Sequence, residues 1–163
     1  MTRRKLFGLL PLLWLLPGRA QATAVAVRET RHLRVVARGL GWTVLRDIAA
    51  PPDAAETAMV LVRAQRPVPP AARPGHLAEV LRHIRLFHFD TLPEEQHLSH
   101  HGLPAMAVEA RGIGTGSRVP VMVRAVTIYG PNRSWLLIAS APAEVWPTIE
   151  AELDAVLEGF RPG

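Results

Sequence analysis

The sequence predicts an α+β domain: a largely antiparallel sheet of five to six strands with one mid-chain helix and one C-terminal helix. Three observations carry that prediction. The runs "VMVRAVTIY" and "SWLLIAS" flank Gly130, Pro131, Asn132 and Arg133, a tetrad with the composition of a hairpin turn. Leu77, Val80, Leu81, Ile84 and Phe87 recur at the spacing of one helical face. Val145, Trp146, Ile149, Leu153, Val156, Leu157 and Phe160 form a second apolar stripe near the C-terminus.

The chain begins with an address. Arg3, Arg4 and Lys5 precede an apolar run from Leu6 to Leu16, and Ala20, Gln21 and Ala22 then present the small-x-small pattern of a signal peptidase site. The run is shorter than the ~20 residues that span a bilayer. Residues 1–22 therefore read as a cleaved signal peptide, and residues 23–163 as a single domain that is periplasmic or secreted and meets the membrane only during export. Thr2, Arg3 and Arg4 resemble the start of a twin-arginine signal, although Leu6 and Phe7 are exchanged relative to that pattern and Gly8 stands where it has lysine. The general secretory route stays open beside it.

Removing 22 of the 163 residues leaves 141, a normal size for one domain with its own core. Four of the 19 basic residues depart with the segment and none of the 14 acidic ones, so the remainder carries a net charge of +1. Without arginine clusters interleaved with aromatics, that balance gives no footprint for nucleic acid. The chain has no cysteine, which excludes a disulfide framework and thiol chemistry, and no lysine after Lys5, which excludes Schiff-base chemistry. Glu144, Glu150, Glu152, Asp154 and Glu158 concentrate acid in the last helix, as a solvated face would.

Element by element, residues 33–47 read as two short strands around Gly39 and Gly41, and residues 57–64 as a third. Prolines 67, 69, 70 and 74 make the next stretch a surface loop, since each removes a backbone donor and fixes φ. The first apolar stripe makes residues 77–87 helical. Residues 103–111 read as a strand, "GIGTGSR" as a turn, and the two strong runs as the following hairpin. For the last helix, Pro142 suits the first position, Glu144 the first turn and Gly159 the end, with Ser140 near its cap.

"HHGLPAMAVEA", the long hairpin after it, and the closing helix ending in Gly159, Phe160, Arg161 and Pro162 together resemble the PsbP-like superfamily. That superfamily includes a photosystem extrinsic subunit, the DcrB-like periplasmic proteins and a C-terminal domain of some periplasmic metallopeptidases. The likeness covers residues 98–162; in the first half only Gly41 and Trp42 could serve as the family's entry. It implies an α/β/α sandwich used as a binding or accessory module, and none of its positions is catalytic.

Histidine is the sharpest chemical signal, because six of the seven lie between His76 and His101. Imidazole is the commonest transition-metal ligand, so His97, His100 and His101, with His88 as a further donor and Asp90, Glu94 or Glu95 as oxygen ligands, could hold zinc or copper. In an extended segment His97 and His101 would share one face and His100 the other, so a three-histidine site requires a turn, which Gly102 and Pro104 could supply. His76, Glu79 and His83 would form a second set on an exposed helical face. Nucleophilic chemistry has less support: no serine sits in a G-x-S-x-G elbow, and Gly112, Gly114 and Gly116 lack the lysine of a phosphate loop. The expected function is an exported, non-catalytic accessory or binding domain without a cofactor, engaging a protein or small molecule. The alternative is a periplasmic metal-binding protein.

Overall fold

The computed structural model describes residues 25–163; the expected signal segment, with Arg3, Arg4, Ala20 and Ala22, lies outside the described residues. Eight strands and two helices follow in the order β1 (Leu33–Gly39), β2 (Trp42–Asp47), β3 (Met59–Gln65), α1 (His76–His83), β4 (Phe87–His88), β5 (Gln96–His100), β6 (Leu103–Gly114), β7 (Pro120–Tyr129), β8 (Ser134–Pro142) and α2 (Trp146–Gly159). They form one antiparallel sheet in the order β1-β2-β3-β8-β7-β6-β4, with β5 also on β6.

The sheet has eight strands where five to six were expected. The two additions, β4 and β5, share the outer edge of β6, where a strand needs no buried face and so shows no apolar alternation. At the centre the opposite holds. Every residue of β8 is buried, because odd positions face α2 and even positions face α1. A continuous apolar run is the mark of a strand covered on both sides.

α2 lies on one face with Trp146, Ile149, Leu153, Val156 and Leu157 buried, and Phe160 closes the same core. At ~1.5–3 kcal/mol for each large apolar side chain removed from water, this helix is a principal contributor to stability. α1 covers the other face with Leu77, Ala78 and Leu81. The sandwich is thus α/β/α, as the resemblance implied. α1 ends at His83, whereas the apolar period runs on to Phe87. Ile84 is extended, and Phe87 pairs with Gly114 as β4, so its burial comes from strand pairing. β6 likewise extends to Gly114, through glycines expected to turn, and the reversal falls at residues 115–119.

The last helix also begins later than expected. Pro142 completes β8, Pro147 occupies the first turn of α2, and Ser140 is a buried strand residue far from any cap. Two hairpins turn on two residues in left-handed geometry, Leu40 and Gly41 (φ 51° and 82°) and His101 and Gly102 (φ 48° and 83°), the type I′ signature. The expected Gly130 turn is present. A Cβ there would stand 2.7 Å from the Trp135 ring and 2.8 Å from the Arg133 carbonyl oxygen, so only glycine fits.

Candidate functional site

On the α2 face, alternate residues of three neighbouring strands point toward the helix. Gln96, Leu98 and His100 come from β5, Ala107 and Glu109 from β6, and Arg124 and Val126 from β7. Together with Asp154, Leu157 and Glu158 of α2 they line a groove of about 420 Å³. Its floor is apolar. Leu98 remains 40% exposed, which leaves an uncovered hydrophobic contact at the mouth.

Arg124 organises the wall. Its Nε donates to Glu109 at 2.7 Å, one terminal nitrogen reaches Glu109 and Glu150 (2.7 Å to the latter), and the other bonds Asp154. The guanidinium carbon lies 5.3 Å from the centre of the Trp146 ring, within cation–π range. Burial alone would make this arginine easier to deprotonate, but the hydrogen bonds to Asp154, Glu109 and Glu150 outweigh it and raise its pKa above the ordinary value. The group is a permanent cation. Glu150 and Asp154 are four residues apart on α2 and meet it from one helical face.

The acidic helix is therefore more than a solvated face. Glu150 and Asp154 bind it to the sheet, while Glu152 accepts hydrogen bonds from the Thr30 hydroxyl and from the His32 amide at 2.9 Å. Burial would push the Glu152 carboxyl up, yet the bonds from Thr30 and His32 hold it below its ordinary range. Sequence patterning did not single out Arg124. The available signal was a single charge inside "VMVRAVTIY", which a central strand can bury only if it is paired.

The histidines divide between the two faces. His97 pairs with Met106 and lines a recess beside Gly75, Arg82 and Glu95 on the α1 side, whereas His100 lines the α2 groove. The turn at His101 and Gly102 does form, and it brings the rings of His100 and His101 to 4.4 Å between centroids. Both Nε2 atoms are already committed: His100 donates to the Phe160 carbonyl at 2.8 Å and His101 to the Glu158 carbonyl at 2.9 Å. They satisfy carbonyls that the end of α2 leaves open. His97 does not join them. His88 pairs with Ile113, seven residues along β6 from the partner of His97, roughly 20 Å at strand rise.

In the second set, His83 is exposed with its Nδ1 2.8 Å from the Glu79 carbonyl, while His76 turns inward against Tyr129. Glu95 bonds the amides of Gly75 (2.9 Å) and Ala78 (2.8 Å), capping α1 where the helix dipole favours an anion. Among the described residues no three histidine, aspartate or glutamate side chains are grouped as metal ligands. Nor, among them, is any serine hydroxyl hydrogen-bonded to a histidine; Ser117 donates to Glu56 at 2.7 Å.

The outer edge of β6 is interrupted beside the groove. β5 pairs with residues 103–107 and β4 with residues 113 and 114. Between them, among the described residues, no strand occupies the outer edge of residues 108–112, and Val108 and Glu109 of this gap line the groove.

The fold is shared with solved structures. LpqN of Mycobacterium tuberculosis, a protein involved in cell envelope biogenesis, superposes with a TM-score of 0.59 at 13% identity over 80% of this chain and 78% of its own. PA94 of Pseudomonas aeruginosa, a protein of unknown function, superposes with a TM-score of 0.56 at 14% identity over 81% of this chain and 98% of its own. CyanoP, the PsbP of the cyanobacterium Synechocystis, gives a TM-score of 0.49 at 14% identity over 93% and 99%. The likenesses to LpqN and PA94 are of fold. No protein-family model matches the chain, and no curated protein matches it by sequence. Among the described residues no helix is long and apolar enough to cross a membrane.

Proposed function

We propose that this chain is an exported, non-catalytic accessory or binding domain of PsbP-like architecture that takes an extended segment of a partner protein into the α2 groove. The observation that carries the reading is the interrupted ladder of β6. Residues 108–111 have no ladder partner on that edge, past which residues 89–95 join β4 to β5 with Phe89 against Gly112; an incoming strand would displace that connection, and main-chain hydrogen bonds would then supply affinity and flanking pockets specificity. The opposite sheet edge is closed to such pairing. On β1 a bulge falls between Val35 and Ala37, and Glu29 occupies the Val35 amide at 2.7 Å.

An incoming strand would place an apolar side chain on Leu98, Val126 and Leu157, beside the charged wall formed by Arg124 and its carboxylates. Export is supported by the basic, apolar and small-residue order of residues 1–22, and by the shared fold with LpqN. The metal-binding alternative gains no support from the placement of His97, His100 and His101.

The test is a screen of extended peptides against the full chain, with hydrogen exchange as the footprint. The proposal expects a binder that slows exchange of amides in residues 108–112 and loses at least tenfold in affinity when Leu98 is replaced by arginine. Binding with a footprint elsewhere, or cleavage of the peptides by the protein, would refute it.

A further inference from the structure

The net charge of +1 on residues 23–163 is unevenly placed. Gly39 pairs with Trp42, Trp42 with Arg63, Arg63 with Leu136 and Leu136 with Thr127, so β1, β2, β3, β8 and β7 are level at one end of the sheet. The Leu40–Gly41 turn, Arg66 after β3 and the turn of residues 131–133 project beyond that line. The C-terminal end of α2 reaches the same end, where His100 and His101 meet its last carbonyls.

Arg38, Arg63, Arg66, Arg133 and Arg161 are all exposed there. Among the described residues none of them forms a salt bridge with a carboxylate. Of the acids nearby, Glu158 stands at the end of α2 and Glu95 is committed to the first amides of α1. Asp47, Asp53, Glu56 and Glu144 belong to the opposite end, interspersed with Arg46, Arg85 and Arg118, so that end is close to balanced. A molecule polarised in this way is oriented by a negatively charged surface.

The second observation is Leu40 at the tip. It is 98% exposed and sits at φ 51°, a position of the turn that asparagine or glycine fills with less strain. Leucine there is unfavourable twice, in its backbone and in its solvation, and strain of this kind points to use. Beside it Trp42 is partly buried, with the Arg63 guanidinium 5.3 Å from the centre of its ring. An apolar tip with an indole and a ring of arginines behind it matches the layers of a bilayer surface, where phosphates meet guanidinium groups and the acyl boundary takes leucine and tryptophan. A nucleic acid would engage the arginines and leave Leu40 in water.

We propose that this basic end docks the folded domain on a membrane surface bearing anionic phospholipids, with Leu40 inserted at the acyl boundary. The chain has no cysteine, and a Cβ at Gly39 meets nothing within 4 Å, so Gly39→Cys in the full chain carries a single nitrobenzoxadiazole label beside the tip. Glu144→Cys carries it at the opposite end. Each is titrated with vesicles of phosphatidylglycerol and phosphatidylcholine, and with vesicles of phosphatidylcholine alone.

The expected result is a saturable rise and blue shift of emission at Gly39→Cys on the anionic vesicles, suppressed by high salt, with little change at Glu144→Cys. In the Gly39→Cys background, Arg66→Gln and Arg133→Gln should each weaken binding about fivefold. Leu40→Asn should weaken it about tenfold while its thermal midpoint stays at or above the parent's, which separates lost insertion from lost folding. Residues 1–22 accompany every variant, so only a response that depends on label position, Leu40 and the arginines supports the proposal. An equal response on phosphatidylcholine alone, an equal response at Glu144→Cys, or substitutions that bind like the parent would overturn it. So would an unresponsive label on vesicles, whether or not a single-stranded oligonucleotide binds the same arginines.

Discussion

Replacing Arg124 with methionine tests whether the groove wall holds α2 to the sheet. The side chain is 22% exposed and meets three carboxylates that are one third to one half exposed, so the pairs lie between surface and buried limits. Two unit charges about 4 Å apart attract by roughly 4 kcal/mol at an effective dielectric of about 20, and desolvation returns most of that. With solvent screening, ~0.5–1 kcal/mol net for each of three pairs is appropriate, and the contact with Trp146 adds about 0.5–1 kcal/mol. Methionine retains much of the apolar stem. The expected loss is therefore about 2–4 kcal/mol, or a fall in melting temperature on the order of 10 °C for a domain of this length.

Urea unfolding at neutral pH measures it, as a lower midpoint at unchanged slope. Part of the loss comes from Glu109, Glu150 and Asp154 left facing one another without a cation. Neutralising Glu150 and Asp154 as glutamine and asparagine in the Arg124→Met background should therefore recover at least half of it. The raised pKa of Arg124 means that its contribution is complete throughout the working pH range and would be lost only in strong alkali, so no dependence on pH arises from the arginine there. A loss below about 0.5 kcal/mol, or no recovery on neutralisation, would refute the assignment of Arg124 as the link between α2 and the sheet.

Glu152 makes the acid limb of stability testable. Its folded pKa is depressed, so its contribution is present above the ordinary value near 4.5 and disappears as pH falls through the lowered one; Glu152→Gln should flatten the stability profile below about pH 4.5 in urea unfolding. Leu40 is 98% exposed at φ 51°, a conformation that asparagine adopts more readily, so Leu40→Asn should stabilise by about 0.5–1 kcal/mol, read as a higher thermal midpoint. An unchanged or lower midpoint would mean that the turn relaxes in solution.

The elements whose burial follows directly from composition are legible in the sequence. The hairpin around Gly130, the apolar stripe of α2, the two strands around Gly39 and Gly41, and the start of α1 all appear where the sequence places them, because each pattern repeats at the period of the element that buries it. β4 and β5 are not legible as strands. They are edge strands stabilised by backbone pairing to β6, and that pairing leaves no mark in side-chain chemistry. Phe87 keeps the helical period but is a strand residue because Gly114, 27 positions later, offers it a partner.

The histidine cluster shows the same division from the functional side. That imidazoles crowd between residues 76 and 101, and that Gly102 permits a turn, follows from the order of residues alone. That His100 and His101 meet the open carbonyls of α2 while His97 lies across the sheet follows only from the assembled fold, since strand parity and the position of a helix end settle which face each ring reaches. Arg124 with its carboxylates, and the arginines gathered at one end of the sheet, are likewise juxtapositions across distant segments. Composition and periodicity are local; partners for a buried charge or hydroxyl come from chain closure, and are known only when the sheet and its two helices are assembled.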